Sequence, residues 1–326
     1  MKKFEKRNCP TASSRVGGQA VLEGIMMKSK STCATAVRCP DGEIKLDKRE
    51  VKSLKDKYKF FKIPIIRGIV GFVESLTLSM SILTLSAEMQ GIEEEPTKFE
   101  KWLEKKFGKS LMGVAAVIGG VLGVFLALGL FFYLPMLLSK LINYVFEMPT
   151  LVKSIVEGVA KIAIFLVYVW AVAFMPDIRR TYEYHGAEHK SIFCHEAGLP
   201  LTVENVKKQS RFHPRCGTSM MFVMLLLSIV VSACLPASLW DTLFLRFLTK
   251  VAIIPLIVGI GYEITIFSGT HDNFVLRILT APGLWFQRIT TREPDDKEIE
   301  VAIVALKAAL PDEYPDEEKT EDAENA

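Results

Sequence analysis

The sequence predicts a mainly α-helical polytopic membrane protein, with four transmembrane helices, one interfacial or re-entrant helix and a small β-containing N-terminal cytoplasmic subdomain. Three observations carry this reading. Half of the 326 residues are hydrophobic and the mean hydropathy is +0.26, above that of ordinary soluble chains. The apolar residues are bunched into long stretches almost free of charge. Charged residues nevertheless reach 24%, so polar segments and membrane spans share one chain. This composition excludes a disordered, collagen-like or disulfide-scaffold protein. The excess of 40 basic over 37 acidic residues, a net charge of +3, gives no electrostatic basis for a nucleic-acid partner.

The N-terminal subdomain is assigned to residues 1–62, with 1–15 polar and expected to be loose. The first 24 residues have no apolar core of the signal-peptide kind. Cys39-Pro-Asp-Gly42 lies between the runs Ala34–Arg38 and Glu43–Leu46, and Pro-Asp-Gly in that setting predicts a hairpin. In Gly17–Met27, Gln19 and Glu23 stand among small and apolar residues. That segment either lines a site or docks on the membrane domain, and residue physics alone favours docking.

Residues 63–110 hold the weakest span candidate and a charged link. Ile63–Ala87 contains Arg67 and Glu74 and is flanked by lysines on both sides, Lys45 to Lys62 before it and Lys98 to Lys109 after it. The positive-inside rule keeps both flanks in the cytoplasm, so a helix or helical hairpin at the interface is expected rather than a crossing.

The membrane domain is assigned to 111–292. A bilayer core of about 30 Å takes about 20 apolar residues. Leu111–Leu138 and Thr218–Trp240 carry no charge, Ile155–Pro176 carries only Glu157 and Lys161, and Val251–Thr270 only Glu263. The connections 139–154 and 241–250 are poor in Lys and Arg, whereas 177–217 contains Arg179, Arg180, Lys190, Lys207, Lys208, Arg211 and Arg215. The rule therefore places those two sparse connections outside and 177–217 and both termini in the cytoplasm. The six cysteines form no CxxC pair and are read as reduced thiols. Residues 271–292, with Pro282, Trp285 and Phe286, suit the membrane surface.

The tail, 293–326, has 13 acidic residues against 3 lysines. Asp295 and Glu298 have the spacing of a capping box. Ile299, Ala302, Ile303, Leu306 and Leu310 then share one helical face, which Pro311 ends. Residues beyond 311 are expected to be disordered.

The chemistry concentrates in the cytoplasmic loop 177–217. Asp177–Ala197 reads as a helix prolonging the second span, ended by Gly198 and Pro200. His185 and His189 are one turn apart and present two nitrogens to one metal, with Glu188 beside them. The letters H-x-x-E-H are those of the inverted zincin signature, in which the Glu is a general base. His213 and Cys216 follow at H-x-x-C spacing. Together they offer a three-His, one-Cys set suited to Zn²⁺, while a catalytic site would use three of them or exchange one for Glu196 or Glu263. Two other readings of the second cluster stay open. Cys216, at a helix start with His213 as base, suits a nucleophile. Gly217, Thr218 and Ser219, with Arg211 and Arg215, suit an anion. Glu263 lies within a span and is read either as part of the site or as a partner for Arg67, Arg179 or Arg180.

These residues are similar to a known family. Gly17-Gly-Gln-Ala-Val-Leu-Glu-Gly-Ile-Met-Met27, Arg67-Gly68, Tyr184-His-Gly-Ala-Glu-His-Lys190, Gln209-Ser-Arg-Phe-His-Pro-Arg-Cys-Gly-Thr-Ser219, Gly261-Tyr-Glu263 and Pro282-Gly-Leu-Trp285 resemble the DUF1385, or YqhQ-like, family of bacterial membrane proteins. The resemblance runs from about Gly17 to Pro294 and leaves the acidic tail outside. It implies a metal-dependent membrane protein with no settled substrate, and its motif residues fall on Gln19, Glu23, His185, Glu188, His189, His213, Cys216 and Glu263.

The resulting expectation is a membrane-embedded, metal-dependent enzyme, a hydrolase acting at the cytoplasmic face. His185 and His189 would bind Zn²⁺ with His213 or Cys216, and Glu188 would take the proton of the attacking water. Glu23, Glu263 and Gln19 would orient ligands or substrate, with Arg211 and Arg215 facing an anion. A lipid or membrane peptide would enter from the bilayer. The alternative is a non-catalytic assembly or transport-type component stapled by a closed metal site. An inverted-repeat transporter gains no support from internal repeats.

Overall fold

The structure is a computed structural model that describes residues 16–51, 53–91, 110–236, 238, 242–270 and 274–315. The expected loose N-terminus, most of the charged link, Trp240 and the tail beyond 315 lie outside the described residues. The chain forms two compact units. One is drawn from 1–92, 170–223 and 258–326, the other from 93–169 and 224–257.

The first unit is organised by a four-stranded antiparallel meander, β1 (Gly17–Val21), β2 (Gly24–Lys28), β3 (Thr32–Arg38) and β4 (Ile44–Glu50). The Pro-Asp-Gly turn joins β3 to β4, closed by the Cys39 N–H donating to the Glu43 carbonyl at 2.8 Å. The first hairpin, β1–β2, turns at Leu22-Glu23, with Glu23 in the left-handed region at φ 48°. Successive side chains of a strand point to opposite faces. On one face Ile25, Met27, Ala34 and Ala36 join a large apolar core; on the other Val21, Met26, Cys33 and Val37 join a second, smaller one. Both faces are covered, so β3 is buried along most of its length.

Helix α1 (Ile66–Met89) covers the smaller face through Ile82, with Leu78, Leu85 and Met89 beside it. It is one unbroken helix of 24 residues, so the hairpin form is not adopted. By length and composition it suits a crossing, but its C-terminal half packs on the sheet. There the Ser79 hydroxyl donates to Gln19 Oε1 at 2.6 Å and the Cys39 thiol to the Met89 carbonyl at 3.2 Å. The opposite stripe, Val73, Leu76, Met80 and Leu83, is exposed and apolar. One face of the helix thus packs on the sheet, and the other presents bare apolar side chains.

The remaining helices are α2 (Ser110–Leu128), running through a π-turn at Gly129–Tyr133 into α3 (Leu134–Val145), then α4 (Thr150–Val172), α5 (Pro176–Glu196), α6 (Val203–Lys207), α7 (Gly217–Ala233), α8 (Leu243–Thr270), α9 (Phe274–Thr290) and α10 (Asp296–Ala309). Four described helices are long and apolar enough to cross a membrane: Ile66–Met89, Gly119–Val145, Thr150–Val172 and Leu243–Phe267. Helix α7, expected to run from Thr218 to Trp240, stops at Ala233, three residues before Pro236, and is at the short limit for a span.

Two boundaries differ from the sequence expectation. The helix bearing the histidines does not prolong the second span. Pro176 sits at its first turn and holds Met175 extended (φ −69°, ψ 130°), so a new helix begins there. Helix α8 starts at Leu243 rather than Val251, which draws Arg246 and Lys250 out of the expected external connection and into the helix. They are tolerated because both pair with the buried Glu157 of α4.

Helix α10 carries the expected capping box: Asp295 accepts from the Glu298 N–H at 2.8 Å and Glu298 Oε2 from the Asp295 N–H at 2.9 Å. Its apolar face, Ile299, Ala302 and Leu306, packs against the larger core face of the sheet and against α5. Tyr314 also packs against this core, so order continues past Pro311. Burial pushes the Glu298 carboxyl up to about 7, so it folds more readily protonated. The stabilisation is therefore fully present below about 4.5 and lost as pH rises through 7. Glu298→Gln, which keeps the capping acceptor, is expected to raise the melting temperature at pH 8 and leave it unchanged at pH 4. The ceiling is on the order of 3 kcal/mol. Thermal melts of both proteins across that range check it.

In the second unit, Gly158 of α4 lets α7 approach, since an added Cβ would meet Ile229 closely. The Ser139 hydroxyl donates to the Lys153 carbonyl at 3.0 Å, tying α3 to the start of α4.

Candidate metal centre

Helix α5 is the spine of the first unit and is buried continuously from Gly186 to His195. It ends where expected, with Gly198 at φ 65° and its N–H donating to the His195 carbonyl at 2.9 Å. Two glycines allow its close surroundings. At Gly186 an added Cβ would drive into the Arg292 carbonyl, so the segment after α9 lies directly on the helix. At Gly18 of β1 an added Cβ would come within 2.9 Å of the Glu188 side chain.

That packing orients the imidazoles. His185 Nδ1 lies 2.9 Å from the Thr290 carbonyl and His189 Nδ1 lies 2.6 Å from the Arg211 carbonyl. A carbonyl only accepts, so each Nδ1 carries the proton and each Nε2 keeps its lone pair. His185 Nε2 faces Cys216 Sγ at 3.2 Å. His189 Nε2 is buried with no hydrogen-bond partner. The ligand atoms of His185, His189 and Cys216 all lie within 4.8 Å of one another. Ligand atoms around a tetrahedral zinc, with bonds of about 2.0–2.3 Å, are spaced only about 3.3–3.8 Å. A backbone carbonyl on the far nitrogen of each histidine is also the usual outer shell of a metal site.

The electrostatics suit the same chemistry. Burial holds His189 below its ordinary value, and burial with nearby His185 lowers His213 to about 4, so both are neutral. Burial pulls the Cys216 thiol upward, but His189 and Thr218 outweigh it and the thiol lies below its ordinary value. Glu188 is raised to about 7 by burial, while His185 and the Gly18 N–H pull it down and Cys216 pushes it up.

The other sequence-singled residues are placed as follows. His213 stands next to the cluster, its ring 5.5 Å from that of His189, but its Nε2 lies 3.8 Å from Glu196, which is itself paired with Arg215. Its backbone is clamped by Gln287, whose side chain exchanges two hydrogen bonds of 2.8 Å with it. Arg211 donates to the Thr291 carbonyl at 3.0 Å, so both arginines of the anion reading hold protein oxygens. Glu23 is paired with Arg180 and accepts from the Tyr184 hydroxyl at 3.3 Å, which docks the first hairpin on α5. Glu263 is paired with Arg67, one of the three partners anticipated for it, and also accepts from the Ile65 N–H at 3.3 Å. Neither carboxylate is brought to the His–Cys cluster. Gln19 accepts from Ser79, and Thr218 Oγ1 lies 3.2 Å from Cys216 Sγ.

The residues that sequence reasoning missed act through the main chain. The Thr290 and Arg211 carbonyls set both tautomers, and a carbonyl leaves no mark in the residue type. Gln287 and Gly186 carried no signal either.

A family model described as "Protein of unknown function (DUF1385)" matches residues 63–312, and so takes in α10, which the sequence resemblance left outside. The uncharacterized protein YqhQ of Bacillus subtilis is 35% identical over 295 residues, covering 90% of this chain and 92% of its own length. No solved structure matches the chain.

Proposed function

This chain belongs to the DUF1385 family, and we propose that it is a membrane-embedded, metal-dependent enzyme of the hydrolase class, with its site at the cytoplasmic face. One observation carries the reading. Two neighbouring histidines spend their Nδ1 protons on backbone carbonyls and turn both Nε2 atoms toward one cysteine. The buried, partnerless His189 Nε2 fits a metal, because leaving it empty forfeits a hydrogen bond that burial makes costly.

His185, His189 and Cys216 would hold the ion, and two imidazoles with a thiolate favour Zn²⁺. When bound, zinc supplies Lewis acidity toward an oxygen of water or substrate. Glu188, buried on the same helix between the two ligands, is the group that takes a proton from an attacking water and returns it to the leaving group. Gly18 and β1 wall off its other side from solvent. Glu23 and Glu263 tie neighbouring elements of the first unit together through Arg180 and Arg67 and take no part in the chemistry. The basic loop 177–217 supports a cytoplasmic orientation in a bacterial plasma membrane. The exposed apolar stripe of α1 supports a lipid or membrane-peptide substrate.

A second reading rests on His213. Its Nε2 is also buried without a hydrogen-bond partner. Turned from Glu196 toward His189, and with its proton moved from Nε2 to the Nδ1 that now accepts from the Arg215 N–H, it would complete a closed three-His, one-Cys shell, which is a structural site.

The test is elemental analysis of detergent-purified protein, prepared without chelator, beside His185→Ala/His189→Ala. About one zinc per chain, lost in the double variant, is the expected result. Metal-free wild type would overturn the proposal. X-ray absorption then separates the readings: three protein ligands and one water-type oxygen fit the enzyme, and three nitrogens with one sulfur fit the structural site.

A further inference from the structure

Ahead of α1 the chain carries a segment that the metal centre does not use, residues 54–63. In it Lys55, Lys57, Lys59 and Lys62 are interleaved with Tyr58, Phe60 and Phe61. Its root is fixed to the first unit. Glu74 of α1 accepts from the Ser53 hydroxyl at 3.0 Å and from the Leu54 N–H at 2.6 Å. The Lys55 ammonium donates to the Tyr262 hydroxyl at 3.4 Å and lies 5.1 Å over the Tyr262 ring. Beyond that root the segment is open. Lys57, Lys59 and Lys62 are exposed and have no carboxylate partner among the described residues. Tyr58, Phe60 and Ile63 are 48%, 62% and 47% exposed. Lys59–Lys62 form a single 3₁₀ turn with long main-chain bonds, from the Phe61 N–H to the Tyr58 carbonyl at 3.2 Å and from the Ile63 N–H to the Phe60 carbonyl at 3.3 Å. Exposed bonds of that length open easily.

Aromatic and aliphatic side chains left in water are unfavourable, and here they are set among unpaired cations. The headgroup region of an anionic bilayer satisfies both: it buries the rings and offers phosphates to the ammonium groups. The segment runs directly into α1, whose stripe Val73, Leu76, Met80 and Leu83 is exposed and apolar. A helix with that stripe carries its basic head to headgroup level, whether it crosses the bilayer or lies along it. An acidic protein would satisfy the lysines but leave the stripe bare.

We propose that residues 54–63 are a docking surface for anionic phospholipid, with Lys57, Lys59 and Lys62 on the headgroup phosphates and Phe60 and Ile63 in the apolar boundary. Lipid binding orders the 3₁₀ turn. The surface shares no residue with the His–Cys centre and does not depend on it.

The test is hydrogen exchange of the full chain in nanodiscs of phosphatidylcholine alone and of phosphatidylcholine mixed with phosphatidylglycerol. The amides of 57–63 are expected to exchange at least about fivefold more slowly with phosphatidylglycerol, the factor that one lysine near an anionic surface supplies. The slowing should fade at high salt and be lost in Lys57→Gln/Lys59→Gln/Lys62→Gln. Lys208→Gln/Lys297→Gln/Lys307→Gln removes the same charge from exposed positions elsewhere and should keep the slowing. Equal exchange of wild type in the two lipids would overturn the proposal, whether the turn is protected in both or in neither. So would slowing that survives in the first triple variant, or that is lost equally in the second. The wild-type comparison decides by itself should a variant prove unstable.

Discussion

Gly186→Ala is expected to be the most damaging Gly→Ala change among the described glycines, removing the zinc proposed for the centre and destabilising the first unit by about 3 kcal/mol or more. The added Cβ would meet the Arg292 carbonyl, which is main chain and cannot rotate aside. Arg292 is itself anchored, its N–H donating to the Tyr182 carbonyl at 2.9 Å. Relief requires the whole 290–294 segment to move off α5. Three things move with it: the Thr290 carbonyl that fixes His185, the Thr291 carbonyl that holds Arg211, and the cap of α10 at Asp295. The centre should therefore fail even though no ligand is changed. Metal content and a thermal melt measured together check this. Gly17→Ala is the control, because nothing lies within 4 Å of its added Cβ. A Gly186→Ala protein with full metal content and wild-type melting would show that α5 and the 290–294 segment are not packed as described.

The second large effect is expected at Glu157. Glu157→Gln removes a carboxylate that pairs with both Arg246 and Lys250, while both cations stay buried. Breaking a buried pair on one side costs about 3–5 kcal/mol, mostly the penalty of the orphaned charge. The cost should fall on the association of α4 with α8 and leave zinc content unchanged, since the two sites share no residue. Adding Lys250→Met to Glu157→Gln is expected to recover part of the loss, because a buried pair replaced by apolar groups is often neutral. Resistance to unfolding by added denaturing detergent, with zinc content as the parallel reading, measures both effects. No loss in Glu157→Gln would mean that water reaches the cluster.

The fold elements that were legible are those with a short-range cause. The capping box at Asp295 and Glu298, the Pro-Asp-Gly hairpin and the Gly198 stop each depend on residues within one or two turns of chain. The juxtaposition of His185 and His189 is equally local, a consequence of 3.6 residues per turn. What misled was also local. Pro176 sits one residue before the stretch Asp177–Ala197 and breaks the helix that its lack of proline suggested. Arg246 and Lys250 look like a loop by charge alone, and only Glu157, 89 and 93 residues away, makes them helix interior.

By itself the sequence determined the membrane class, the β3–β4 hairpin, the tail helix and the concentration of His and Cys side chains in one loop. These follow from composition, periodicity and spacing, which act along the chain. Only the tertiary structure decided which of those side chains converge. Cys216 meets the two histidines and His213 turns toward Glu196, while Glu23 and Glu263 are taken up by Arg180 and Arg67. The reason is physical. Each imidazole is aimed by a carbonyl from another part of the chain, 105 residues away for His185 and 22 for His189. A backbone carbonyl is the same group at every position, so its place is set by packing and not by the residue that carries it.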